Sequence, residues 1–208
     1  MTKIIVTLAL MICSFVFGQT SYEKGMQKAF ELWQNGKSTE AVALFERVAA
    51  AEKNQWLPNY YIALVNTTMA FQSKDKAQVE ALLNKAQTVL NLELQKQPNH
   101  PELLVMQGMI YTAWISSDPM TYGMKLSGKA TEVYTKAEMI AKDNPRVVLC
   151  KTEFEMGSAQ FFGTDIKPLC EKAAKAVELF ANFNPETAFH PNWGLDRAKS
   201  LVEACNRN

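Results

Sequence analysis

The stretch 101-PELLVMQGMIYTAWISSDPMTYGMKLSGKATEVYTKAEMIAKDNP-145 decides how the rest of the chain is read. It holds two long apolar-periodic runs and three prolines, and each proline stands where a helix begins. Pro101 suits a first helical turn because its missing N–H has no partner there anyway. Asp118-Pro119 and Asp143-Asn144-Pro145 repeat the logic, with a side-chain acceptor placed just before the proline. The runs between these marks predict helices over 101–116 and from 119 to about 142. Apolar residues recur every three or four positions, and no alternating strand pattern competes.

The same reading extends outward in both directions. Segment 20–35 carries Tyr22, Met26, Ala29, Phe30 and Trp33 on one face, and Asn35-Gly36 ends it. Ser38-Thr39-Glu40 opens a second helix with Ala41, Leu44, Phe45 and Val48 inward. Leu57-Pro58 opens a third, to about Ser73. Asp75 caps a long fourth with Val79, Leu82, Leu83, Ala86, Val89 and Leu90 inward. Beyond Pro145 a seventh helix runs to about Phe162, an eighth covers 166–181, and a last helix covers 193–206. Asn182 to Asn192 holds two prolines and reads as a loop. Turns near 36, 74, 118 and 163 recur at a spacing of roughly forty residues, as in stacked helix pairs. One pair cannot bury its apolar face alone, whereas a stack makes a continuous core. The expected fold is all-α: about four antiparallel hairpins and a C-terminal capping helix.

Several residues resemble the signature of the tetratricopeptide repeat (TPR). Gly108 and Tyr111 are spaced as the Gly and Tyr of its first helix. Ala130, Tyr134 and Ala137 match the spacing of its second helix, as do Gly36, Ala41 and Phe45 with Val48 and, more loosely, Val79, Leu83 and Ala86. The resemblance covers most of 22–182, with the period stretched and the consensus Trp and closing Pro displaced. It implies that the first helix of each pair lines a concave groove, and that Tyr60, Asn66, Met109 and Thr112 would face a partner there. Trp193, outside the repeat pattern, reads as a plug that packs the last helix onto the stack.

The N-terminus reads as an export signal. Lys3 precedes an apolar run from Ile4 to Phe17, too short for a comfortable span, and Val16 and Gly18 suit a cleavage site. The expected organisation is a signal peptide over 1–18 and one helical repeat domain over 19–208. The expected location is the periplasm or the medium, with no membrane insertion after cleavage. An oxidising compartment changes how Cys150, Cys170 and Cys205 read. If the last two helices run antiparallel, Cys170 and Cys205 come level and can bridge; the alternative is three reduced thiols used as small apolar residues.

The sequence contains 22 basic and 21 acidic residues, so without Lys3 the counts are equal. No basic stripe for nucleic acid emerges. Lys24, Lys28, Lys125, Lys129 and Lys136 mix with Glu along helix faces and read as solvated. There are two histidines, each before a proline, and no HExxH, CxxC or phosphate loop. No metal site, catalytic group or cofactor is expected. Met106, Met109 and Met124, with Tyr111, Trp114 and Tyr122, read mainly as core, and otherwise as a greasy groove. The preferred function is an exported, non-enzymatic scaffold for a peptide or protein partner. The alternatives are a binder of a small apolar ligand between helices, marked by a closed apolar cavity, and an enzyme with no recognisable motif.

Overall fold

A computed structural model describes residues 20–207. The signal-peptide reading of residues 1–18 lies outside the described residues. Within them are nine helices: α1 (Ser21–Gln34), α2 (Ser38–Ala51), α3 (Leu57–Gln72), α4 (Lys76–Lys96), α5 (Pro101–Ser117), α6 (Pro119–Ile140), α7 (Pro145–Phe162), α8 (Lys167–Ala181) and α9 (Leu195–Cys205). No strand occurs among the described residues.

Local chemistry accounts for the helix starts. Thr20 and Glu23 form a reciprocal capping box on α1, so two otherwise orphaned N–H groups are satisfied. Asp75 accepts from the N–H groups of Ala77 and Gln78, Asp118 from Thr121, and Asn144 from Arg146 and Val147. Ser38 begins α2 without such a bond, since the residue before it is Lys37.

Successive helices pack as pairs, α1 with α2, α3 with α4, α5 with α6 and α7 with α8, and α9 lies on α8. The first helices also touch one another, α3 on α5 and α5 on α7, which continues one core through the stack. The architecture is therefore stacked antiparallel helix pairs with a capping helix, a TPR-like solenoid. A very close crossing lies in the third pair. A Cβ added to Gly108 would come within 2.4 Å of the Tyr134 ring. Ala130, Tyr134 and Ala137 are buried on the face of α6 that meets this glycine. The small-residue and aromatic positions that carry the TPR resemblance are here the positions that let two helices approach.

A second small core joins Val148 and Leu149 of α7 to Ala176 and Phe180 of α8 and Ala198 of α9. Gly194, with φ +117°, leads into α9, and a Cβ there would strike Phe180 at 2.5 Å and Leu149 at 3.1 Å. Cys170 on α8 is bonded to Cys205 on α9, which ties the capping helix to its neighbour. Among the described residues no helix is long and apolar enough to cross a membrane.

Candidate functional site

The four positions assigned to a partner groove do not form an open surface. Tyr60, Asn66 and Met109 are buried, and Thr112 is half-buried. Their placement on α3 and α5 is the reason. These first helices are packed by their own pair and by the neighbouring first helices, so every residue from Glu102 to Ile110 is buried. Asn66 spends its amide on the Ile62 carbonyl at 2.7 Å, and Thr112 donates to the Gly108 carbonyl at 2.8 Å. Both hold their own helices and have little left for a partner. This corrects the expectation drawn from repeat position alone.

Tyr60 is covered for a further reason. The link between α8 and α9, residues 182–194, runs over the inner face lined by the first helices. Trp193 donates its indole N–H to the Tyr60 hydroxyl at 2.9 Å. Tyr61 donates its hydroxyl to the Phe189 carbonyl at 2.8 Å. The Phe189 ring stacks on Phe30 and meets Tyr22 edge-on, both from α1. Trp193 thus plugs the stack as expected, but its contact is with α3, and the link around it fills the concave side.

Beneath this link lies a buried ion pair. Arg146 on α7 reaches Glu102 on α5 through Nε, at 2.8 and 2.9 Å, and through Nη2 at 2.7 Å. Asn144 also donates to Glu102, at 2.6 Å. Burial works against the Arg146 charge, but hydrogen bonds to Glu102 and attraction to it outweigh burial and hold the pKa above its ordinary value. Arg146 Nη1 is buried without a hydrogen-bond partner, and the guanidinium lies 4.4 Å from the centre of the Phe183 ring. Against a catalytic reading, Glu102 is bonded on both oxygens. Cys150 is buried, and burial pushes its thiol pKa up to about 12, so it stays protonated and unreactive at neutral pH. Among the described residues no group of three His, Cys, Asp or Glu is placed to hold a metal.

An open concavity lies elsewhere, on the third helix pair. A cleft of about 530 Å³ lies between Tyr111 and Trp114 of α5 and Tyr122, Lys125, Leu126 and Lys129 of α6. Residues 122, 125, 126 and 129 share one helical face by their spacing. Leu126 continues the Ala130–Tyr134 row by one turn toward the hairpin tip, where the side chains of α5 and α6 leave a gap. The Trp114 and Tyr122 rings meet at 4.8 Å, tilted by 49°. Lys125 and Lys129 stand one turn apart at the edge of the cleft. Burial, and then the nearby Glu132 charge, raise the Tyr111 pKa, so its hydroxyl stays protonated.

The mainly-core reading of the Met and aromatic cluster therefore divides. It holds for Met106 and Met109. It fails for Met124, which is 95% exposed, and holds in part for Tyr111 and Trp114, which pack against the core and also line the cleft with Tyr122. Sequence reasoning treats the two cleft lysines as ordinary solvated charges; their i, i+4 spacing beside Tyr122 is the signal that could have found them. The hairpin-tip end also exposes Phe71, Met120, Phe161 and Phe162.

No family model matches the sequence, and no curated protein matches it. Two solved structures are similar to it over most of the chain. The HusA haemophore from Porphyromonas gingivalis is 22% identical, with a TM-score of 0.71, over 92% of this chain and 96% of that one. A thermophilic TPR protein from Thermus thermophilus is 14% identical, with a TM-score of 0.42, over 88% of this chain and 100% of that one. At this identity the first likeness shows a shared fold.

Proposed function

We propose that the protein is an exported, non-enzymatic binding scaffold whose open site, the α5–α6 cleft, takes a small, flat, largely apolar ligand with acidic groups. The observation that carries this reading is the composition of the cleft. Tyr111, Trp114, Tyr122 and Leu126 offer apolar and aromatic surface for a ring system, and Lys125 and Lys129 offer two cations for carboxylates at one edge. The volume is within the range of small-molecule sites, about 300–1,000 Å³. The cleft is open at the surface, so the closed cavity expected for a small-ligand binder is not its form. The structurally similar HusA is named a haemophore, and haem has this chemistry: a planar macrocycle with two carboxylates. The residues fit such a group, with aromatic walls, paired lysines and, in Tyr111 and Tyr122, phenol oxygens of the kind that can ligate haem iron.

Titration of the protein from Gln19 onward with haem and with metal-free protoporphyrin tests this. Expected are saturable quenching of tryptophan emission and a shifted Soret band, both weakened at least several-fold in a Lys125→Glu/Lys129→Glu variant and in Tyr122→Ser. Equal binding by wild type and both variants would remove the cleft from the reading. No binding of either porphyrin would remove this ligand class. A second reading, a peptide or protein partner on the inner face, is favoured by the aromatic row of Phe30, Tyr60 and Tyr61, which already holds a non-helical segment of the chain itself.

A further inference from the structure

We infer that residues 183–193 are a proton-sensitive strap over a groove on the inner face, closed at neutral pH and released as the surroundings acidify. This proposal is independent of what the α5–α6 cleft binds.

The strap is held in a way that permits release. It belongs to no helix, and residues 184–188 face solvent. Its inward side chains are Phe183, Phe189, His190, Pro191 and Trp193. They meet Tyr22 and Phe30 of α1, Tyr60 and Tyr61 of α3, and Arg146 of α7, whose ion-pair partner Glu102 stands on α5. The middle of the strap backbone takes a hydrogen bond from Tyr61 at the Phe189 carbonyl, and the Phe183 N–H donates to the Phe180 carbonyl where the strap leaves α8. Both ends stay anchored, because α8 and α9 pack together and are joined through Cys170 and Cys205. Opening therefore moves the middle of a tethered loop, and the rest of the fold can remain in place.

The proton-sensitive element is a pair of imidazoles on one indole. Trp56, just before α3, has His100 at 4.4 Å and His190 of the strap at 6.0 Å, measured between ring centres. The two histidines come from distant parts of the sequence and meet only because the strap is closed. Buried His100 Nδ1 has no hydrogen-bond partner. The charged groups facing this site come from several directions. Arg146 of α7 lies beneath Phe183, whose ring is 6.1 Å from His190. Glu102 of α5 is already bonded to Arg146 and Asn144. Glu186, on the strap itself, is exposed and 3.9 Å from His190 Nδ1, beyond hydrogen-bond reach. Glu93 of α4 is held by Asn59 and Lys96. A proton on either imidazole is thus opposed first by burial, with the inner carboxylate already committed to Arg146 and Asn144 and Glu186 out in solvent.

The direction of the pKa values agrees. Burial lowers His100, helped by His190, against the pull of Glu102 and Glu186. Burial lowers His190, helped by Arg146, against the same two carboxylates. A histidine that is harder to protonate when closed than when open makes acid favour the open form. Opening would uncover Phe30, Tyr60, Tyr61 and the free Nη1 of Arg146, a surface suited to an extended segment with aromatic side chains and an acidic group.

Hydroxyl-radical footprinting of Phe183, Phe189 and Trp193, with amide hydrogen exchange of the helices alongside, tests this at pH 7.5 and 5.5, each corrected for its intrinsic pH dependence. Expected is a several-fold loss of protection confined to 183–193 at pH 5.5, with α1 to α7 unchanged. The His100→Gln/His190→Gln variant should lose that pH response. Trp193→Phe, which removes the donor to Tyr60, should expose the strap at both pH values and keep the response. The proposal is overturned if wild-type protection of 183–193 is the same at both pH values. It is also overturned if all helices open together, or if the double variant responds as wild type does. Should the double variant fail to fold, the wild-type comparison and Trp193→Phe still decide.

Discussion

Glu102 and Arg146 are the most demanding residues in the core, because two opposite charges have been taken out of water together. Such a pair contributes little net stability compared with apolar residues of similar size, yet breaking it is costly. Removing Glu102 would leave a guanidinium with no carboxylate in a buried site. Glu102→Leu is therefore expected to lower the unfolding free energy by about 3–5 kcal/mol. The paired change Glu102→Leu/Arg146→Met should recover most of that loss. Urea denaturation of wild type, the two single variants and the pair gives the coupling directly. A single variant as stable as wild type would mean that water reaches Arg146 in solution. Neither residue is marked in the sequence as a partner of the other, since 44 positions separate them.

At the scale of elements, the fold rests on repeated starts and one staple. Cap-then-proline starts set α6 and α7 with little help from tertiary contacts, so their boundaries are readable from a few residues. α9 is different. It is short, it buries only Ala198 fully, and it enters through a glycine in a conformation that side chains rarely adopt. Its attachment depends on the Cys170–Cys205 bond, the Glu153–Arg197 ion pair and the small α7–α8–α9 core. The bond closes a loop with a sequence separation of 35. Loop-closure entropy then puts its contribution at roughly 3–4 kcal/mol. Cys170→Ser/Cys205→Ser should lose about that much in denaturant and should fray α9 first, visible as early exchange of its amides. Unchanged stability would mean that α9 is held by packing alone.

For the whole molecule, the histidines set the direction of the pH response. In the unfolded chain both return to an ordinary value near 6.5; in the folded protein both lie lower. Between these values the unfolded state binds more protons, so stability is fully present above about pH 7.5 and falls as pH drops below about 6.5. Denaturant midpoints at pH 7.5 and 5.5 should show wild type weaker at 5.5, and His100→Gln/His190→Gln less affected. A midpoint that rises on acidification would contradict the sign. The two sides of the stack also differ in what they carry. The loop end holds the Trp56, His100, His190 and Glu102–Arg146 cluster under the strap, while the α5–α6 cleft opens beside the hairpin tip.

Periodicity, caps and prolines are local, so the sequence by itself determined the nine helices of the described residues, their pairing and the repeat architecture. Gly108 and Tyr134 were legible for the same reason: a small residue and an aromatic at repeat spacing imply a close crossing. The spacing of Cys170 and Cys205 left the bridge and three free thiols equally open, and the structure joins them. The placement of the site was not local. Repeat position put Tyr60 on the inner face, but a loop more than a hundred residues later covers it, and no periodic signal reports what a loop covers. Lys125 and Lys129 looked like any solvated pair until α5 brought Tyr111 and Trp114 beside them. Burial and charge pairing depend on which surfaces meet, so only the tertiary structure decided that the concave groove is occupied by the chain itself and that the open cleft lies between α5 and α6.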